Sequence, residues 1–151
     1  MRCCYVLHHQ RLLEIDNEGN KVCENKVLGV FSTRKKCRDM AAEYRKQPGF
    51  IDYPHDFVIE KATADVDDYS HVPGEFDRFV YFLEHEWYDG EYDYETCCGH
   101  YSTRCLAEQA MERYRMHPDL LEHPEGFFIT PCVIDSEFNK LPWSTGFFTW
   151  G

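Results

Sequence analysis

Apolar side chains occupy both alternating faces of the first strand-like segment, with Tyr5, Leu7 and His9 on one side and Cys4, Val6 and His8 on the other. That pattern belongs to a central strand covered on two sides. Glu18-Gly19-Asn20 is a turn signal and leads into a second strand ending at Gly29-Val30-Phe31. Ser32 stands where a helix N-cap is wanted, and Cys37, Met40, Ala41 and Tyr44 then fall at i, i+3, i+4 and i+7. This spacing predicts a helix over about residues 33–47. Pro48-Gly49 stops it, and Pro54 punctuates the return to a third strand at Phe57-Val58-Ile59. A second strand joined through a helix to a third should run parallel to it with the first strand between them, by a right-handed crossover.

The same order of signals recurs. At an offset of 70, Gly29-Val30-Phe31-Ser32-Thr33-Arg34 meets Gly99-His100-Tyr101-Ser102-Thr103-Arg104, and Tyr44-Arg45 meets Tyr114-Arg115. Pro48, Pro54, Phe57, Ile59 and Asp65 meet Pro118, Pro124, Phe127, Ile129 and Asp135 in that register. Ala107, Ala110, Met111 and Tyr114 repeat the helical stripe, predicting a second helix over about residues 103–117. Upstream, Tyr5-Val6-Leu7-His8-His9 meets Tyr81-Phe82-Leu83-Glu84-His85 at an offset of 76, which reads as a shorter hairpin loop closed by Asp89-Gly90. The chain is a tandem repeat. The predicted fold class is α+β: two tandem ββαβ repeats, mostly antiparallel sheet with two helices. Residues 1–65 form the first repeat, 66–77 a linker rich in aspartate, and 78–138 the second repeat. An aromatic tail, 139–151, with Leu141, Trp143, Phe147, Phe148 and Trp150, is expected to pack back over an edge or an exposed face.

Charge separates the two copies. Of the 16 basic and 27 acidic side chains, residues 1–75 hold 11 and 13, and the remainder 5 and 14. The excess concentrates in the second hairpin, where Glu84, Glu86, Asp89, Glu91, Asp93 and Glu95 interleave with Trp87, Tyr88, Tyr92 and Tyr94. Six carboxylates in twelve residues repel one another, whereas opposite a basic cleft they speed association, and Trp and Tyr anchor interfaces. The competing reading is a solvated edge hairpin whose aromatics pack on its own fold. A formal net charge of −11 repels nucleic acid and anionic membrane and favours a basic protein partner. No apolar run approaches the ~20 residues of a membrane span, and the first residues lack a signal peptide's apolar stretch, so the expected location is the cytoplasm.

Candidate chemistry is sparse. There is no G-x-S-x-G, H-E-x-x-H, phosphate-binding or dinucleotide loop. His9 and His85, repeated on matching strands, could shuttle protons, but hydrogen bonding at the sheet rim explains them as well. Arg34 and Arg104, with Lys35 and Lys36, oppose the helix dipole in a first turn and invite an anion site, or form a solvated basic face. Cys97, Cys98, His100 and Cys105 could be imagined as zinc ligands, yet no C-x-x-C occurs, and the eight cysteines are expected to be reduced and packed as small hydrophobes. Neither metal nor cofactor is expected.

The series Tyr-Val-Leu-His-His, Gly-Val-Phe-Ser-Thr, Gln-Pro-Gly-Phe, Pro-x-x-Phe-x-Ile and Asp resembles a family of small, uncharacterised bacterial domains. The resemblance covers residues 4–65 and, more loosely, 80–138. The second copy departs from it at His100, where the first has Val30, and at Asp119, where the first has Gly49. Small, acidic proteins of this kind look like the immunity proteins of polymorphic toxin systems, by an analogy independent of fold. That likeness implies a non-enzymatic antitoxin that binds a cognate toxin domain and occludes its basic active-site cleft, of nuclease or ADP-ribosyltransferase type. The acidic and aromatic residues of the hairpin would be the partner-binding set. The alternatives are a small-molecule or peptide-binding regulatory module and an enzyme using His9, His85 or a cysteine.

Overall fold

A computed structural model describes residues 1–136; the aromatic tail lies outside the described residues. Strands β1 (Cys3–Ile15) and β2 (Lys21–Phe31), helix α1 (Arg34–Tyr44) and strand β3 (Phe57–Thr63) form the first repeat. Strands β4 (Phe79–Tyr88) and β5 (Asp93–Tyr101), helix α2 (Arg104–Tyr114) and strand β6 (Phe127–Val133) form the second. The fold is α+β, with two three-stranded antiparallel sheets ordered β2-β1-β3 and β5-β4-β6. The first strand of each repeat is therefore central. Both β5 and β6 run antiparallel to β4, so they are parallel to each other across it, as the helical connection requires.

Each helix covers one face of its sheet with matching residues. Leu7, Phe31, Cys37, Met40, Tyr44 and Phe50 are buried in the first core, and Leu83, Tyr101, Ala107, Ala110, Tyr114 and Leu120 in the second. The six residues missing from the second hairpin come mostly off the strand ends and not the loop: β1 and β2 have 13 and 11 residues against 10 and 9 in β4 and β5. Both turns use the same chemistry. Asp16 Oδ1 accepts from the amides of Glu18 and Asn20, and Asp89 Oδ1 from those of Glu91 and Tyr92. Gly19 and Gly90 supply φ of 85° and 99°.

The N-caps correct the sequence reading. Thr33 and Thr103, not Ser32 and Ser102, are the capping residues, with extended φ and a side chain that accepts from the amides of Lys36 and Leu106. Each serine is instead held by a carboxylate. Asp65 takes the amide and hydroxyl of Ser102, both at 2.8 Å, and Asp135 takes those of Ser32 at 2.9 and 2.6 Å. Both aspartates adopt left-handed backbone, at φ 64° and 58°. Each follows the third strand of one repeat and clamps the helix start of the other. The compact units reflect that exchange: one joins Met1–Cys4 to Ala62–Ile134, and the other joins Tyr5–Lys61 to the described residues from Asp135. The linker consequently packs as part of the second repeat's unit. Among the described residues no helix is long and apolar enough to cross a membrane.

Candidate functional site

The second hairpin sorts its residues onto two faces by strand alternation. Glu84 pairs with Cys97, Glu86 with Glu95 and Tyr88 with Asp93 on one face, while His85 pairs with Thr96 and Trp87 with Tyr94 on the other. Four carboxylates, those of Glu84, Glu86, Asp93 and Glu95, are thus gathered on a single face. Among the described residues none of them meets a basic side chain. Burial, with the charges of Glu95 and Glu86, pushes the Glu84 carboxyl above the usual carboxylate range. Burial, with Glu86 and Asp93, does the same to Glu95. Directly opposed like charges, as Glu86 and Glu95 are here, are destabilising in an isolated sheet.

Trp87 lies on the other face as the middle ring of a stack. Its centroid is 4.5 Å from Tyr94 at an interplanar angle of 14° and 4.1 Å from His123 at 12°. Trp87 is half-buried by this packing, whereas Tyr88, 63% exposed, stands beside the carboxylates. Asp89 belongs to the turn, where backbone amides and the Tyr94 hydroxyl hold its carboxyl below the usual range. Glu91 and Tyr92 complete the turn, Glu91 exposed and Tyr92 half-buried. Of the ten residues singled out in the sequence, the structure therefore brings Glu84, Glu86, Tyr88, Asp93 and Glu95 together and sets Trp87 and Tyr94 apart from them.

The first hairpin makes the contrast plain. In the positions of Glu86 and Glu95 it has Gln10 opposite Asn25, and in those of Trp87 and Tyr94 it has Arg11 opposite Glu24. Arg11 pairs with Glu24 at 3.1 Å and lies 4.9 Å above the Tyr53 ring, where the second copy has His123. Lys26 pairs with Glu24 as well. Ion pairing on the helix side in one copy has become ring stacking in the other, and neutral amides on the outer side have become carboxylates.

The other candidates are absorbed by the fold. His9 and His85, 2% and 0% exposed, place Nε2 at 3.1 Å from the Tyr53 carbonyl and 2.7 Å from the His123 carbonyl. Each Nε2 must carry the proton it donates, and burial lowers the His9 pKa. Both rings are thus buried and tied to loop backbone. Arg34 and Arg104 lie over Tyr5 and Tyr81, at 4.9 and 5.4 Å from the ring centroids. Lys35 pairs with Asp39 at 2.7 Å, and Lys36 with Asp135 at 2.9 Å. The first-turn cations are thus engaged by side chains of the chain.

Cys98 is buried in the α2 core, and burial pushes its thiol up to about 12. Cys97 points to the opposite face, where its Sγ lies 3.8 Å from His100 Nε2. All eight cysteines are free, and among the described residues no group of three or more His, Cys, Asp or Glu converges as metal ligands.

No signal in the sequence marks the cluster around Asp67, in the linker. The Asp67 carboxylate is fully buried, accepts from the Tyr101 hydroxyl at 2.5 Å and pairs with Arg113 at 3.2 Å. Those bonds and the amides of Tyr69 and Ser70 outweigh its desolvation and lower its pKa, while burial and the adjacent carboxylate raise that of Tyr101. No family model matches the chain, and no protein of curated function and no solved structure is measurably similar to it.

Proposed function

We propose that the chain is a non-catalytic binding protein of the immunity type: it meets the basic active-site cleft of a cognate antibacterial toxin domain in the cytoplasm and occludes it. The observation that carries this reading is the single outer face of β4–β5 on which Glu84, Glu86, Asp93 and Glu95 are clustered with no cation against them among the described residues. Such a face gains from a partner's Arg or Lys in two ways. It acquires charge-assisted hydrogen bonds, and it loses the repulsion it carries alone. Tyr88, exposed at the edge of the cluster, supplies an aromatic contact. Trp87 supports the hairpin from behind.

The test is growth protection. The chain is co-expressed with a toxin domain of the class this reading calls for, sought in the genes beside its own, as wild type and as Glu86→Lys/Glu95→Lys. The wild type should restore growth and the double variant should not, while both melt within a few degrees of each other. Protection by the charge-reversed protein equal to that of the wild type would refute the reading. Complex formation should also weaken with added salt, because exposed charges beyond ~8 Å are screened at physiological ionic strength.

A further inference from the structure

Strand β5 brings a thiol and an imidazole to one point on the outer face of the second sheet. Residues three apart on a regular strand face opposite ways. Here the ladder slips: Phe82 pairs with His100 but Glu84 with Cys97, which leaves Cys98 and Gly99 opposite Leu83 in a bulge, with Gly99 at φ 121°. Cys97 Sγ therefore lies 3.8 Å from His100 Nε2. The imidazole is 9% exposed and meets the Phe82 ring edge-on at 4.7 Å, whereas Cys97 is exposed.

The first repeat shows that the fold needs neither group. Its ladder slips at the matching place, between Leu7 and His8, and sets Val27 opposite His8 and Val30 opposite Val6. Two valines thus stand where the second copy has Cys97 and His100, and the order of strands and helix is the same. We propose that Cys97 and His100 chelate a soft metal ion of low coordination number, of the Cu(I) type, with its remaining position open on the exposed side.

The ligand atoms select the ion. A thiolate and an imidazole suit Cu(I) and zinc above the hard cations. Zinc in a closed site takes four ligands, and among the described residues no third His, Cys, Asp or Glu converges on the pair. Cu(I) is satisfied by two or three. With metal–sulfur and metal–nitrogen bonds of ~2.3 and ~2.0 Å, an ion spanning 3.8 Å subtends ~125°, close to a trigonal angle. The surrounding charge selects a cation over other uses of the thiol. Glu84 stands opposite Cys97, and Glu95 two residues before it on the same face. Their charges oppose the bare thiolate that a nucleophilic cysteine needs, and favour the same sulfur once a metal ion is on it. Binding sends the thiol proton to solvent and uses the imidazole in its neutral form. Metal binding is a property of the isolated chain, so this inference does not rest on the proposed function.

Anaerobic titration of the reduced full chain with Cu(I), against a colorimetric Cu(I) chelator, tests it. Wild type should hold one equivalent more than Cys97→Val or His100→Val, each of which installs the residue that the first repeat carries there. Loss of either ligand should weaken that equivalent by more than the ~10–100-fold that loss of a supporting residue costs. Cys23→Ser and Cys105→Ser, at two other exposed thiols, should leave it unchanged. X-ray absorption of the wild type loaded with one equivalent should show both sulfur and nitrogen bound to the metal. That measurement needs no substitution and stands if a variant fails to fold. Retention of the equivalent in either valine variant, or a shell of sulfur alone, would overturn the proposal, and displacement by an equal concentration of Zn(II) would overturn the assignment to Cu(I).

Discussion

Replacing Glu86 by Gln should stabilise the protein above pH 6 while weakening its attachment to a basic partner. Glu86 faces Glu95 directly and sits two residues from Glu84 on the same face. Side chains so paired lie ~5 Å apart at Cβ, and two charges ~6 Å apart in a water-like dielectric repel by ~0.7 kcal/mol before screening. A gain of ~0.5 kcal/mol, or ~1–2 °C in Tm for a chain of this size, is the expected magnitude. The pH dependence has a definite sign. Glu84 and Glu95 have raised folded-state pKa values, with burial the leading cause and neighbouring carboxylates, Glu86 among them, adding to it. Their contribution to stability is present below the unfolded value of ~4.3 and is lost as pH rises through the folded values. The difference between Glu86→Gln and wild type should therefore vanish near pH 4, grow toward neutrality and shrink in high salt. Urea titrations across pH and ionic strength measure it. A Glu86→Gln protein less stable than wild type at neutral pH, or a gain indifferent to salt, would refute the repulsive geometry.

Asp67→Asn should cost about 2–3 kcal/mol by urea unfolding, because Arg113 and the Tyr101 hydroxyl lose a buried anion. Since the Asp67 pKa is lowered, its contribution holds above the unfolded value and disappears as pH falls through the folded one, and the variant should lose that acid dependence. Asp65→Ala should cost about 1–2 kcal/mol, from the lost clamp on Ser102 and from a non-glycine residue at φ 64° without a side-chain bond, and Asp65→Asn about half as much. Gly99→Ala should be strongly destabilising in thermal melts, since φ is 121° and a Cβ would stand 2.6 Å from the Tyr101 hydroxyl. Trp87→Ala should lower stability by about 1–2 kcal/mol through loss of the ring stack, and Trp87→Phe by less.

The acidic face was legible only in part. The sequence shows six carboxylates among aromatics, but not which of them share a side. The register of β4 on β5 decides that, and a one-residue slip would exchange Trp87 for Glu86 on the outer face. His123, the third ring of the stack, lies 36 residues from Trp87 in the chain and has no periodic signal linking the two. The serine caps were misplaced by one residue because Ser-Thr offers two hydroxyls in succession, and the choice depends on Asp65 and Asp135 holding the serines from a distant part of the chain.

By itself the sequence determined the tandem repeat, the strand–strand–helix–strand order and the residues each helix buries. All of these follow from local periodicity and turn chemistry, which act over a few residues. Only the tertiary structure decided that the six strands form two sheets, that the linker seals Asp67 beneath α2, and that each repeat's terminal aspartate clamps the other's helix. Such contacts join residues 34 to 103 positions apart, where the pairing is chosen by the shape and charge of surfaces that exist only once the chain has folded.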